Sequence, residues 1–220
     1  MLAFSSLLGN VEGQNIYRIW YDKPASYWEE ALPVGNGRIA AMVFGNPQLE
    51  QIQLNEETVS AGSPYQNYNE EAKTALPEMR RLIFEGKYEE AQNMAATKIL
   101  SQVGNEMPYQ TVGRLNIRYP DHKKVNNYYR DLDISNAVAV TRYEVDGVEF
   151  TEETFASFTD QLVIRHIKAS KPGTINCELF FNTPMRDPKR SIYGKKGLRL
   201  EGITHGSRYF SGKVDRKSVV

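Results

Sequence analysis

Short stretches in which apolar and polar residues alternate dominate this chain, and they are typical of β-strands with one buried face. Such stretches cover residues 16–21, 50–56, 137–145, 148–157 and 162–169. Residues 39–45 are small and apolar throughout, which indicates a strand buried on both faces. Asp146-Gly147 is a type I′ hairpin signal between two of these stretches. Strands at short, regular intervals with polar turns predict a mainly β fold, an antiparallel sandwich.

One part of the chain, residues 70–102, has a helical period instead. Apolar residues recur there at i, i+3, i+4 and i+7 spacing up to Phe84, and after Gly86 the pattern resumes as far as Leu100. We therefore predict a helical hairpin inserted among the strands, with Pro77 in a first turn or at a kink. Its Met and Leu stripe is interpreted as packing and not as a cofactor site.

Both ends of the chain differ from the rest. Residues 1–14 are apolar and small, then polar, and are read as a leader or the remnant of a secretory signal without its basic region. This predicts a periplasmic or secreted protein. Residues 198–206 form a last strand-like stretch, and residues 211–220 follow without a finished element. We therefore assign residues 15–220 to one β-sandwich domain and interpret its C-terminal end as a truncation.

The composition limits the possible partners. Lys plus Arg and Asp plus Glu both number 27, so the formal net charge is zero, which argues against nucleic acid or an anionic membrane as partner. No stretch approaches the roughly 18 apolar residues of a membrane span. The single cysteine, Cys177, excludes an intrachain disulfide. It lies in a strand-like stretch and is read as a buried bystander, because nothing nearby would stabilise a thiolate.

Candidate catalytic groups are hard to select by spacing. A sugar hydrolase usually places two carboxyl groups about 5 to 10 Å apart. Adjacent carboxylates on a strand, such as Glu152-Glu153, point to opposite faces and make a poor acid–base couple, whereas Glu56-Glu57 lies beside a loop. The three histidines have no metal-ligand spacing, and no phosphate loop or nucleophile elbow is present. We therefore assign no catalytic residue, no metal ligand and no cofactor.

Two polar loops, residues 32–38 and 54–65, remain as candidate binding sites. They place amide, carboxylate and guanidinium groups next to glycines, a composition that suits hydroxyl-rich ligands. The candidate substrate-binding residues are Asn36, Arg38, Asn55 and Glu56. A structural alternative stays open, in which Asn55 and Glu56 cap turns and Arg38 pairs with a carboxylate.

The longest motifs resemble a known family. WYDKPASYWEEALPVGNGRIAAMVFG (Trp20 to Gly45) and IQLNEETVSAGSPY (Ile52 to Tyr65) resemble the N-terminal region of glycoside hydrolase family 95, the α-L-fucosidases and related α-L-galactosidases. The resemblance continues through MPYQTVGRLNI and on to Gly173, and so covers nearly the whole chain after residue 14. The chain departs from the family pattern at Ser60, where Trp is usual, and at Arg114, where Asp tends to follow Gly.

The resemblance implies a domain architecture. Family members begin with a β-supersandwich, followed by a helical linker, an (α/α)6 barrel and a small β domain. The barrel holds the catalytic acid and base, and the reaction is inverting hydrolysis of terminal α-L-fucosyl or α-L-galactosyl linkages without a metal. This implies a non-catalytic N-terminal domain whose partners are the barrel and, through it, a glycan.

Other functions remain possible from the residues alone. The chain is either such a fragment, a stand-alone carbohydrate-binding sandwich, or an inactive remnant. A binding module needs an exposed aromatic platform, for which the sequence offers Trp20, Trp28, Tyr65, Tyr68, Tyr128 and Tyr129.

Overall fold

The computed structural model describes residues 17–60, 68–101 and 109–204, together with the backbone of residues 215–219. The chain forms two compact units. Unit 1 comprises residues 1–57 and 113–182, and unit 2 comprises residues 58–112 and 183–220. The described residues do not include residues 1–14, Tyr65 and His205, which were considered above from the sequence.

Unit 1 contains two antiparallel five-stranded sheets. In the first sheet, here called sheet A, the strands lie in the order β1 (Arg18–Tyr21), β6 (Val125–Asp133), β7 (Val138–Val145), β8 (Val148–Ser157) and β9 (Leu162–Ala169). In the second, sheet B, the order is β10 (Glu178–Asn182), β5 (Gly113–Arg118), β4 (Leu49–Glu56), β3 (Ile39–Val43) and β2 (Leu32–Gly35). All pairs of neighbouring strands are antiparallel.

The two sheets pack face to face through their alternating apolar residues. Leu32 and Ile52 of sheet B are each only 2% exposed, and Ala139 of sheet A is 1% exposed. Burying a side chain as large as Leu or Ile contributes about 1.5–3 kcal/mol. The core also contains Val34, Ala41, Val43, Ile117, Tyr119 and Leu132. The predicted antiparallel β-sandwich is thus confirmed.

Most strand predictions agree with the sheets, with one correction. Residues 39–45 and 50–56 were predicted as partners, and β3 pairs with β4 in the register Ile39 to Glu56. Residues 32–35 were predicted as part of a loop, but they form β2, because Leu32 and Val34 alternate into the core. Pro33 is tolerated there because β2 is an edge strand, where a missing N–H leaves no gap in a hydrogen-bond ladder.

Unit 2 contains the predicted helical hairpin and a third sheet. The helices are α1 (Ala72–Phe84) and α2 (Tyr88–Met94), and one π-helical turn, Ala95–Ile99, continues α2. Pro77 lies inside α1 and not in its first turn. The third sheet consists of β11 (Arg186–Tyr193), β12 (Gly197–Ile203) and β13 (Asp215–Val219). No helix in the described part of the chain is long and apolar enough to cross a membrane.

Candidate functional site

One end of unit 1 brings together three segments: residues 36–38 between β2 and β3, residues 55–57 at the end of β4, and residues 157–161 between β8 and β9. We call it the loop end. The Asn36 side chain organises it, since its Oδ1 accepts hydrogen bonds from the backbone N–H of Arg38 (3.1 Å) and Ile39 (3.0 Å). The Asn36 Nδ2 donates to the Ser157 carbonyl at 2.7 Å, which ties sheet B to sheet A. Asn36 thus acts mainly as a turn and bridging residue.

Arg38 and Glu56, two of the residues predicted from separate loops, form an ion pair. The Arg38 Nε lies 3.3 Å from the Glu56 Oε1, and the Arg38 carbonyl accepts a hydrogen bond from the Glu57 N–H at 3.0 Å. The Arg38 side chain is 54% exposed, whereas that of Glu56 is 15% exposed. Asn55 lies opposite Ala40 in the ladder and is half-buried. The structure therefore gathers the four candidate residues at one end of sheet B, and Arg38 has the carboxylate partner of the structural alternative.

Sequence reasoning missed an aromatic residue at the loop end. Phe158 is 77% exposed in the turn between β8 and β9. This turn is well supported, because the Ser157 hydroxyl donates to the Asp160 carboxylate at 2.7 Å and the Gln161 Nε2 donates to the Phe158 carbonyl at 2.7 Å. A large apolar residue between two predicted strands, where turn residues are expected, was the available signal.

Two buried carboxylates, Glu50 and Glu152, face one guanidinium inside the sandwich. Glu50 is 0% and Glu152 is 1% exposed. The Arg165 Nη2 donates to the Glu50 Oε2 at 2.8 Å and also contacts the Glu152 Oε2. The Arg165 Nη1 donates to the Thr154 hydroxyl at 2.8 Å. We call Glu50, Glu152 and Arg165 the buried triad.

The remaining acceptor capacity of these carboxylates is also used. The Glu50 Oε1 accepts three backbone hydrogen bonds, from Phe44 (3.2 Å), Gly45 (2.9 Å) and Gln51 (3.0 Å). The Glu152 Oε1 accepts one from the Tyr143 hydroxyl at 2.9 Å. Buried charges persist in proteins when they are paired and hydrogen-bonded in this way.

The electrostatics of the buried triad follow from burial and from charge pairing. Burial raises the pKa of the Glu50 carboxyl, and the Arg165 charge and the Gly45 N–H oppose that rise. Burial of Arg165 lowers the pKa of its guanidinium, but the charges of Glu50 and Glu152 outweigh this effect and leave it raised. Arg165 therefore stays charged and bridges the carboxylates.

The buried triad does not form a glycosidase acid–base couple. In such enzymes the two carboxyl groups flank the scissile bond of a bound sugar. Here the Arg165 Nη2 contacts both carboxylates, and neither carboxylate is exposed. The sequence held a signal for the buried triad, since Glu50, Glu152 and Arg165 each lie two residues from an inward-facing apolar residue of the same strand and so share its buried face. The adjacent Glu153 points outward, where it pairs with His166 and Lys168.

Cys177 and His122 are both packed against neighbouring side chains. Cys177 is half-buried against the sandwich core, and burial raises the pKa of its thiol, so it is not a thiolate nucleophile at neutral pH. His122 is 3% exposed, stacks on Tyr119 with ring centroids 4.6 Å apart, and its Nδ1 lies 3.1 Å from the Pro47 carbonyl. Within the described ranges, His, Cys, Asp and Glu form no group of three that could hold a metal ion.

The aromatic residues proposed for a platform occupy different places. Trp20, Trp28 and Tyr68 are 61%, 50% and 64% exposed. Tyr128 turns inward and donates to the Gly45 carbonyl at 2.6 Å, whereas Tyr129 stacks beside Trp20 with ring centroids 6.3 Å apart. Trp20 and Tyr129 are thus brought together on sheet A.

Comparison with known proteins finds similarity to alpha-fucosidases. The chain is 37% identical over 181 residues to alpha-L-fucosidase 2 of Arabidopsis thaliana. The aligned region covers 80% of this chain and 21% of that protein. It is 26% identical to a probable alpha-fucosidase A of Aspergillus niger, in an alignment that covers 69% of this chain and 20% of that protein. It is 25% identical to a probable alpha-fucosidase A of Aspergillus oryzae, in an alignment that covers 74% of this chain and 23% of that protein. The chain thus spans about a fifth of the length of these relatives.

A family model gives the assignment at the level of the domain. The model described as glycosyl hydrolase family 65, N-terminal domain, matches residues 19–218, which include both sheets of the sandwich and the helical hairpin. The chain therefore belongs to the family of glycosyl hydrolase family 65 N-terminal domains.

Proposed function

We propose that this chain is the non-catalytic N-terminal domain of an α-L-fucosidase-like enzyme of glycoside hydrolase family 95. The observation that carries the proposal is the 37% identity, over 80% of the chain, to a plant alpha-L-fucosidase of which the chain spans only 21%. Because the matching family model is one of family 65, the finer assignment rests on the fucosidase relatives and on the motifs Trp20 to Gly45 and Ile52 to Tyr65. The parent reaction would be inverting hydrolysis of terminal α-L-fucosyl or related α-L-galactosyl linkages.

In this proposal the sandwich packs against a catalytic (α/α)6 barrel that supplies the acid and the base. The buried triad supports this division of labour, since its carboxylates are paired with Arg165 inside the sandwich. The parent enzyme would act on a glycan in the periplasm or outside the cell, in line with the signal-like residues 1–14.

The first test is an activity measurement on the purified full chain. With p-nitrophenyl α-L-fucoside and p-nitrophenyl α-L-galactoside we expect no turnover above the buffer rate from mildly acidic to neutral pH. Turnover that stays with the chain through successive purification steps would contradict the proposal. Replacing Glu50 and Glu152 by Gln would then show whether the buried triad is the source.

The loop end is proposed to lie at the rim of the substrate cleft. Its half-exposed Arg38 is held by Glu56, so the guanidinium is oriented before a ligand arrives, and Phe158 offers an apolar surface nearby. A charged donor that is already oriented loses little conformational entropy when it binds a sugar hydroxyl.

A chimera tests the role of the loop end. This chain would replace the aligned region of the Arabidopsis thaliana relative, and Arg38→Ala would be compared with Arg118→Ala. Arg118 is a matched control on the same sheet, since it is 52% exposed and pairs with Glu178 at 3.2 Å. We expect Arg38→Ala to raise KM about tenfold, the effect of one hydrogen bond from a charged donor, and Arg118→Ala to leave it unchanged. Equal KM values for the two variants would remove the loop end from the cleft.

A further inference from the structure

A pair of aromatic rings lies on the outer face of sheet A at its β1 edge, whereas the loop end includes the turn that leads into β9 at the opposite edge. Trp20 of β1 and Tyr129 of β6 have ring centroids 6.3 Å apart and planes inclined by 20°. Trp20 lies opposite Asp131 in the ladder, and Asp131 is two residues after Tyr129 on the same strand. Trp20 and Tyr129 therefore project from the same side of the sheet. Trp20 is 61% exposed, although an indole ring favours burial.

A fixed charged group lies beside these rings. The Arg18 Nε is 3.0 Å from the Asp131 Oδ2, and its Nη2 is 3.4 Å from the Asp133 Oδ2. The Asp131 charge raises the pKa of the Arg18 guanidinium, against the effect of burial, and a hydrogen bond with Tyr129 adds to the rise. Asp131 is 1% exposed, whereas the Arg18 side chain is 33% exposed. Arg18 is therefore held in place by groups beneath it while part of it faces solvent.

Asp133 is itself held by its surroundings. It accepts hydrogen bonds from the backbone N–H of Ser135 (2.9 Å) and Asn136 (3.2 Å) and from the Asn136 Nδ2 (3.0 Å). These bonds lower the pKa of the Asp133 carboxyl, that from the Asn136 side chain most strongly, so Asp133 stays charged and anchors Arg18. Arg18 and Asp133 lie opposite each other on the paired strands β1 and β6, so the ladder fixes the backbone positions of both.

We infer that Trp20, Tyr129 and Arg18 form a binding surface for a neutral pyranosyl residue of a glycan, separate from the loop end. A pyranose has an apolar face of C–H groups, which suits the ring of Trp20, and a rim of hydroxyl groups, which suits the Arg18 guanidinium and the Tyr129 hydroxyl. The charges of Arg18, Asp131 and Asp133 leave no large positive excess that would select an anionic sugar. The ligand class rests on the proposed function, whereas the location rests on the geometry alone.

The surroundings favour a glycan over a protein partner. Protein interfaces bury about 800 Å² on each partner and have an apolar centre. Around the two rings the outer face of sheet A is mostly polar, with Arg142, Glu149, Glu153, His166 and Lys168, whereas Val140 is buried and the apolar pair Phe155 and Ile164 lies nearer the loop end. Two rings surrounded by charged groups match the size and the amphipathic character of one or two sugar units. Since β1 is an edge strand, pairing with a second copy is the competing outcome.

The chain contains two tryptophans, which makes a selective optical test possible. In the full chain carrying Trp28→Phe, Trp20 is the sole tryptophan. The probes are 2′-fucosyllactose, cellohexaose and a galacturonic acid oligomer as an acidic comparison. We expect a saturable change in Trp20 fluorescence with a neutral probe, and roughly fivefold or greater weakening of binding when Tyr129→Ala or Arg18→Met is added.

The reciprocal variant Trp20→Phe, which keeps Trp28 as the reporter, is the matched control and should show no saturable change. The inference is overturned if no probe gives saturation, if Trp28 reports binding as strongly as Trp20, or if only the acidic oligomer binds. It is also overturned if the fluorescence depends on protein concentration and sedimentation shows a dimer lost in Trp20→Ala. Because none of these readouts involves hydrolysis, the result is independent of whether the chain has fucosidase activity.

Discussion

At the scale of single residues, Gly45 has little freedom to vary. It lies at φ +73°, and a Cβ added there would meet the Tyr128 hydroxyl oxygen at 2.8 Å and the Arg130 Cδ at 2.9 Å. Its N–H also donates to Glu50 of the buried triad. We expect Gly45→Ala to lower the free energy of unfolding by about 3 kcal/mol, since it adds a steric clash to backbone strain. Urea denaturation followed by circular dichroism measures this loss.

Gly147 provides the control, because its φ is +74° and a Cβ there would meet nothing within 4 Å. Gly147→Ala therefore isolates backbone strain, and we expect it to cost about 1 kcal/mol. Equal losses for the two variants would show that the contacts of Gly45 with Tyr128 and Arg130 contribute nothing.

A second prediction at this scale concerns Arg165. Arg165→Met leaves Glu50 and Glu152 buried without their counter-charge, and we expect a loss of about 3 to 5 kcal/mol. Burial then keeps the pKa of Glu50 above its unfolded value of about 4.3, so the folded variant holds a proton that the unfolded chain releases as pH rises. The wild-type chain keeps the Arg165 charge, which opposes this rise in the pKa of Glu50, so the deficit relative to the wild-type chain should widen as pH increases above the pKa of the unfolded carboxyl.

Urea denaturation at several pH values measures this deficit. Arg118→Met removes an exposed pair and should cost less than about 1 kcal/mol at each of these pH values. A deficit for Arg165→Met that shrinks with rising pH would contradict the assignment of charges in the buried triad.

The sequence predicted which residues have the chemistry of a binding site better than it predicted the residues that they contact. Asn36, Arg38, Asn55 and Glu56 were selected for their chemistry, and the strand pairing of β3 with β4 does bring them together. The hydrogen bond from the Asn36 side chain to the Ser157 carbonyl could not be predicted, because Ser157 is 121 positions away and belongs to the other sheet. The buried triad likewise depends on three strands whose facing positions only the packed sandwich defines.

At the scale of elements, helix α1 contains a residue that weakens it. Pro77 lies inside the helix, where it lacks the N–H for a backbone hydrogen bond, and it is exposed. We expect Pro77→Ala to raise the helical signal at 222 nm and to stabilise unit 2 by about 1 to 3 kcal/mol. Lys73→Ala, an exposed change in the same helix, should have little effect, and a loss of stability in Pro77→Ala would mean that α1 needs the proline.

Elements with a strong local signal were predicted most successfully. Asp146 and Gly147 have φ values of 48° and 74°, as a type I′ turn requires, so the hairpin of β7 and β8 was readable from two residues. Strand β2 was missed because Pro33 and Gly35 look like loop residues, whereas Leu32 and Val34 on the other face bind it to the core. Packing of β2 against the core thus outweighs the preference of Pro33 and Gly35 for a loop.

At the scale of the whole molecule, charge balance governs behaviour in solution. With 27 basic and 27 acidic residues, the chain has no net repulsion between copies at neutral pH. We expect its solubility in polyethylene glycol to be lowest near neutral pH and to rise on either side. The variant Lys195→Glu with Lys196→Glu should move the minimum to lower pH, and an unchanged minimum would show that exposed apolar surface limits solubility instead.

The neighbouring tyrosines of β6 have a consequence for how this sandwich can evolve. Tyr128 reaches inward to the Gly45 carbonyl, and Tyr129 reaches outward to Trp20, just after a bulge at which Asn127 has φ 51°. Gaining or losing one amino acid here would exchange the two sides, exposing the interior anchor and hiding the surface ring. Natural variants can therefore replace Tyr129 by substitution, whereas insertions and deletions at this point should be selected against.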